Sequence, residues 1–523
     1  MTCPNCGTEN AADARFCVSC GRDLSDATAP IPAGAPTEVV PATTATTVTA
    51  PAPVPGTAPH PPRSSLALGW PTAIARGALA FLVMVALGQA IAFGAYAVAG
   101  VSTAISTVAR IGGVYFELFH RVGIEVSDSN PGGSAVAGRT VGGISFTISI
   151  GLLLATILAV FLLYRAGRAV ADRAGGPMLT RVVHGMKPAV FYGLLALAFS
   201  FLIRFHIPVP AGTLALGGQF DVQPSILGAF LWPFLIALVA GAAGGLRSAS
   251  ASGEVSEPWG RRTIGIWSGG VRMLILGLVL SFVGLLVLAA LDPTTTAGYF
   301  RGAFNAGPAR GTVLVGHHVL VSPNQSMWVL IPAMGGSVKL SVAGTEVELL
   351  SYAHFPQSVS LSGATSTFGP PTPSVQGGTA PAGYFLFLLV PLLSVLIGGR
   401  AAAVRGQARA RPEAVMLGAL AGVVFGVLVA VVGLMSTIGI GATIDVSGFH
   451  TGGSGYLGPD ALVGGLLALV WGCAGGALGG LIYGRSLPAV EPAAVAPEGS
   501  GFETVAMPPP PPPPGPPPAA PAP

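Results

Sequence analysis

Charged side chains are scarce in this sequence. Asp, Glu, Lys and Arg together make up 9% of its 523 residues, against about 25% in an ordinary soluble domain. A water-facing surface for a chain of this length cannot be coated with so few. Cysteine is rarer still: there are five, four of them before residue 21, and the fifth, Cys473, lies inside an apolar run. That distribution excludes a disulfide framework. Aromatic residues amount to 7%, and no dense basic patch interleaves with them, which excludes a nucleic-acid surface. The opening residues also lack the apolar stretch of a cleavable signal peptide, since the first hydrophobic run begins after Leu66. The N-terminus is therefore expected to stay in the cytoplasm unless the first span carries it across.

What is abundant points to a bilayer. Hydrophobic residues make up 51% and glycine contributes 75 positions. Apolar runs of about 20 residues are what a helix needs to carry its backbone through about 30 Å of hydrocarbon. Eight windows qualify, near 77–99, 143–164, 188–205, 226–246, 272–291, 382–399, 414–437 and 461–484. The pattern predicts a polytopic all-α membrane protein of about eight transmembrane helices. Arg204, near the end of the short third window, is placed to snorkel to the interface.

The basic residues then test the count. With the N-terminus inside, inner segments hold 16 Lys and Arg plus two near the N-terminus, while the longer outer segments hold seven. This asymmetry follows the positive-inside rule and predicts a multi-pass plasma-membrane protein with both termini cytoplasmic.

Similar stretches recur along the spans. Odd-numbered windows carry a glycine near their inner end, as in RGALAF at Gly77 and LGALAGVVFG at Gly418, and later even windows end in small residues before an arginine. Windows four and eight match best, each with a tryptophan (Trp232, Trp471) upstream of a glycine cluster. The simplest expectation is four repeated out-and-back hairpins, parallel rather than inverted. Gly241 and Gly245, and Gly472, Gly476 and Gly480, stand four apart. Small residues at that spacing let helix backbones approach where lipid supplies no driving force, so these five are candidate helix-packing positions.

The four early cysteines form two C-x2-C pairs, Cys3 with Cys6 and Cys17 with Cys20, each followed by a glycine, Gly7 or Gly21. A glycine there permits a tight turn that aims backbone N–H groups at thiolate sulfurs. Four thiolates at this spacing fit a closed tetrahedral zinc site, with a redox dithiol or an iron site as alternatives. So few residues cannot build a core, so the metal would supply most of the folding free energy. In its C-P-x-C-G and F-C-x-x-C-G elements the stretch resembles the short bacterial zinc-ribbon family over residues 3–24. The resemblance implies a structural zinc, often at the cytoplasmic end of a membrane protein, and is nearly silent about activity. Arg15 and Arg22 stand against Glu9, Asp13 and Asp23, so docking to a protein partner or acting as a small cap are the readings this ribbon leaves open.

The remaining segments divide the chain into a ribbon (1–24), a Pro/Thr/Ala linker expected to be a disordered tether (25–65), helices one to five (66–291), an outer β-rich loop domain (292–381), helices six to eight (382–486) and a Pro-rich tail (487–523). The tail's proline run favours a polyproline II helix, either a docking motif for aromatic grooves or a spacer. In the outer domain, the β-branched stretch TVLVGHHVLV predicts strands, with His317 and His318 on opposite faces. Residues 108–126 read as an amphipathic helix on the outer surface or plugging the bundle's mouth, with His120 as polar surface.

Function is the least legible part. No nucleophile–base grouping or paired carboxylates can be named, and no window holds an acidic residue at its centre, where coupled transporters usually keep one. The expectation is a non-enzymatic membrane protein that organises or regulates the envelope, with lipid around it and protein partners at the ribbon or tail. A transporter for an unknown solute is the alternative. The Ala/Gly/Pro/Arg bias fits a high-GC bacterial genome.

Overall fold

The computed structural model describes residues 69–487 apart from a few stretches, the longest being 210–217, 292–300 and 363–371. The ribbon cysteines, the linker and the Pro-rich tail lie outside the described residues. Among the described residues eight helical segments are long and apolar enough to cross a membrane, and the chain is a multi-pass membrane protein.

In chain order, α1 (Trp70–Ala99) is followed by α2 (Ile105–Phe119), strands β1 (Ile124–Asp128), β2 (Ser134–Val136) and β3 (Arg139–Ser149), then α3 (Leu153–Ala174). Next come α4 (Met178–Met186), α5 (Pro188–Ser200), strands β4 (Phe205–Val209) and β5 (Gly218–Pro224), and α6 (Ile226–Ala251). The same succession then repeats. It runs α7 (Pro258–Leu291), α8 (Pro308–Leu320), α9 (Ser322–Ala333), strands β6 (Val338–Val342), β7 (Thr345–Leu350), β8 (Phe355–Ser362) and β9 (Thr372–Gly378), then a 3-10 turn (Ala382–Leu388) leading into α10 (Leu389–Arg405). It closes with α11 (Arg411–Ser436), β10 (Ile438–Val446), β11 (Phe449–Pro459) and α12 (Ala461–Gly484).

Local chemistry accounts for several boundaries. Prolines sit in the first turn of α1, α5, α8, α9 and α11, where a missing N–H costs nothing. Gly100, at φ 63°, ends α1 in the left-handed region. Pro188 divides the third span into α4 and α5, because its ring cannot donate within a helix.

The second window is displaced. Residues 143–149 belong to β3, and the helix begins at Leu153. Ile144, Phe146 and Ile148 alternate with Ser145, Thr147 and Ser149, and this period of two outweighs mean hydropathy. The opposite error occurs at 312–321, where β-branching predicts strands and a helix, α8, runs to Leu320. Valine is no bar to helix where tertiary packing decides. His317 and His318 accordingly lie on a helix.

The expected unit of repetition also changes. It is not a two-helix hairpin but a half of four spans, present twice in the same direction. The glycines demonstrate this atom by atom. Gly241 on α6 meets the carbonyl of Gly185, and Gly476 on α12 meets that of Gly418. Gly244 packs on Tyr164 and Arg168 as Gly479 packs on Leu396 and Arg400, while Gly245 packs on Arg181 and Val182 as Gly480 packs on Ala414 and Val415. Gly77 on α1 faces Pro188 and Phe191, and Gly270 on α7 faces Ala421 and Val424. Gly472 adds a further crossing with Gly422. Each half closes around its own core, Phe81, Phe116 and Tyr192 in the first, Met273, Leu330 and Phe425 in the second.

The extramembrane cap differs from a single β-rich loop domain, and the fold is correspondingly not all-α. Strands from four loops build one nine-stranded antiparallel sheet in the order β4-β5-β1-β3-β10-β11-β6-β7, with β2 beside β3 and β8-β9 as a separate ribbon. The two halves contribute their strands in the same order, and they join where β10 pairs with β3 from Gly439↔Ser149 to Val446↔Val141. At the sheet's second-half end, Lys339 lies 2.9 Å from Asp460 and 3.5 Å from Glu346, and the Tyr456 hydroxyl donates to Glu346 at 2.7 Å.

Other links between the halves lie at this same end. Asn324 on α9 accepts from Leu153 N–H at 3.1 Å and donates to the Gly151 carbonyl at 2.6 Å, while Gly151 N–H donates to the Met435 carbonyl at 3.1 Å. Tyr115 and His317 are hydrogen-bonded at 2.6 Å. Asn324 is 3% exposed and supplies the first turn of α3 with a cap from the other half. Asn324→Leu should therefore lower unfolding stability by about 1–3 kcal/mol, since two buried backbone groups lose their partner. The midpoint of thermal unfolding in detergent checks this, and an unchanged midpoint would remove Asn324 as a clamp.

Candidate functional site

The halves are joined at the sheet end and diverge at the arginine-rich end. Between them lies a crevice of about 1180 Å³. Its first-half wall comes from α3, α4 and α6, and its second-half wall from α7 and the last residue of α10. The lining is apolar along most of its depth, with Leu238, Val239 and Ala242 facing Val271 and Ile275. From Leu238 to Ser250, α6 advances about 18 Å at 1.5 Å per residue, close to the depth of one leaflet, about half of the 30 Å core.

The arginine-rich end of the crevice has a different chemistry. Arg247, Arg272 and Arg405 line it together with Ser250 and Ser268. Arg405 donates to the Ser268 hydroxyl at 2.6 Å and lies within the field of Arg272 and Arg247. Among the described residues no carboxylate lines the crevice. Glu413, in a small adjoining pocket, is engaged by Arg262 at 2.7 Å and by the Arg409 N–H at 2.9 Å. Three guanidinium groups converge on one space whose walls offer them hydroxyls but no counter-charge.

A second polar group sits in the first half's core. Glu117 and His120 are fully buried, so His120 is not the polar surface expected of it. The His120 Nδ1 lies 2.8 Å from the Phe116 carbonyl, which can only accept, so Nδ1 carries the proton. Nε2 then accepts from the Tyr192 hydroxyl at 2.8 Å. Burial pushes His120 down to about 4, against which the Phe116 hydrogen bond acts, and it pushes Glu117 well above the usual carboxylate range. His120 is therefore neutral at pH 7. Neither carboxyl oxygen of Glu117 has a hydrogen-bond partner.

The expected site residues fall into two sets. Gly241, Gly245, Gly472, Gly476 and Gly480 lie at helix crossings within the halves, away from the crevice lining. Cys3, Cys6, Cys17 and Cys20 lie outside the described residues. Among the described residues no group of three or more His, Cys, Asp or Glu could hold a metal. In the sequence the crevice arginines mark topology only. Their separation along the chain carries no sign that they converge.

Comparison with known proteins bears on the N-terminus alone. Residues 2–24 match the zinc-ribbon domain family. No curated protein and no solved structure matches the chain.

Proposed function

We propose that this is a non-enzymatic membrane protein that organises the envelope from within the bilayer, holding an amphiphilic membrane component between its two halves. The observation that carries this reading is the crevice itself. From Leu238 to Leu246 its α6 wall is apolar over about 12 Å, and every charged group in its lining is an arginine. That division suits a molecule with a head and a tail better than a polar solute. The glycine crossings support the same view, because they close each half tightly and favour a rigid frame. By the positive-inside rule the arginine-rich end faces the cytoplasm. The ribbon and the Pro-rich tail would then reach protein partners on that side.

The rival reading is transport of a polar solute. The test is flux from proteoliposomes loaded with a bacterial metabolite extract and holding the full chain. The expected result is efflux no faster than from protein-free vesicles for every solute followed by mass spectrometry. Saturable efflux of one polar solute, abolished by Ala242→Trp in the crevice wall, would replace the scaffold reading with a transporter.

A further inference from the structure

We propose that the crevice takes an anionic phospholipid, its phosphate held by Arg247, Arg272 and Arg405 and its acyl chains lying along α6 and α7. The proposal rests on the amphiphile-holding reading above and names the ligand's chemistry.

The argument begins with charge. Three arginines share one lining and Arg405 feels the other two. Like charges gathered at the edge of a low-dielectric region repel one another. A folded membrane protein keeps such a group where an anion completes it. Basic pockets between transmembrane helices on the cytoplasmic side are where acidic head groups bind. Guanidinium also suits phosphate in particular, since its planar fork donates two parallel hydrogen bonds to two oxygens. The Ser268 hydroxyl, which accepts from Arg405 at 2.6 Å, adds a neutral donor beside it.

Shape then separates a lipid from a free phosphate ester. A soluble anion needs only the arginines, yet the crevice continues past them to Ile275 on α7 and to Leu238 and Val239 on α6. Its volume of about 1180 Å³ exceeds the roughly 300–1,000 Å³ of drug-sized sites. Leu238, Val271 and Ile275 stand where apolar chains would cover them, and Trp267 lines the space near the polar end, the level at which tryptophan commonly sits. A zwitterionic lipid would fill the apolar part equally well. It would leave the three positive charges only partly compensated, because its own cation travels with its phosphate.

The experiment uses the full chain in neutral-detergent micelles, titrated with dioleoylphosphatidylglycerol or dioleoylphosphatidylcholine and followed by native mass spectrometry. Phosphatidylglycerol should bind at least about tenfold more tightly than phosphatidylcholine, with each Arg→Gln change at 247, 272 or 405 costing about fivefold. The triple variant R247Q/R272Q/R405Q should lose about a hundredfold for phosphatidylglycerol and bind the two lipids alike. Arg165→Gln, outside the crevice lining, should bind as the unaltered protein does. Should the triple variant not fold, the three single variants decide, and undiminished phosphatidylglycerol binding in all of them overturns the assignment.

Glycerol 1-phosphate separates the two sources of phosphate. It should fail to displace the lipid at matching concentration, and displacement would make the site one for a free phosphate ester. Equal binding of both lipids to the unaltered protein, lost on Ala242→Trp, would overturn the charge assignment and leave the amphiphile reading standing. Binding of neither lipid, or binding insensitive to Ala242→Trp, would overturn both.

Discussion

Gly476→Leu is expected to prevent the second half from closing. A side chain at this position would drive straight into the Gly418 carbonyl and towards the Met273 side chain. The first obstacle is backbone on a neighbouring helix, which cannot rotate away as a side chain can. Inserting even a methylene into a packed core typically costs about 1–3 kcal/mol, and four carbons between two helices that touch along their backbones should exceed that. The variant should lose its cooperative thermal transition in detergent and aggregate, since unfolding of membrane proteins of this size is seldom reversible. Gly241→Leu should act equally on the first half, because its contact with Gly185 repeats the Gly476 contact with Gly418. Gly94→Ala and Gly316→Ala are the controls. A Cβ at either meets nothing within 4 Å, so alanine should be neutral or stabilise by up to about 1 kcal/mol through helix propensity. Equal melting of the Gly476→Leu and Gly94→Ala proteins would mean that the crossings do not hold the halves together.

The second large effect concerns the N-terminus. We expect one zinc per chain, bound by Cys3, Cys6, Cys17 and Cys20. Structural zinc in small modules is worth about 10–16 kcal/mol at pH 7, which is far more than 24 residues can obtain from burial. Cys6→Ser should abolish stoichiometric zinc in metal analysis of the purified full chain. A chelator should expose residues 1–24 to protease while the melting of the membrane part stays unchanged. The thiolates must be deprotonated to bind, so acidification should release the metal and a return to neutral pH should restore it. Iron in place of zinc, or four freely titrating thiols in the untreated protein, would overturn this expectation. The match of residues 2–24 to the zinc-ribbon domain family supports the motif and leaves the ion to be measured.

Several features were readable without the fold, for identifiable reasons. Spans were visible because a bilayer imposes length and apolarity on every crossing helix, and α12 falls at Ala461–Gly484 as its window indicated. The small-residue clusters in α6 and α12 were visible because close backbone approach admits little but glycine. Hydropathy misleads where the period of two decides, as at Ile144–Ser149, and β-branching misleads where tertiary context decides, as at Thr312–Val321. His120 reads as surface because α2 is short and amphipathic, yet it and Glu117 are buried. Their burial depends on Tyr192 and Phe199, which reach α2 from another span.

Composition and local pattern alone determined that this chain crosses a membrane about eight times, where its helices can touch, and that four cysteines form a ribbon motif. Those properties follow from rules that act within a helix or a short motif. Tertiary structure alone decided that four spans, not two, are the repeated unit, that strands from four loops form one sheet, and that Arg247, Arg272 and Arg405 share a crevice. Each of these depends on contacts between residues far apart in the chain. The pairing of β3 with β10 draws the halves together at one end, and the space left at the other is a consequence of how two packed bodies meet.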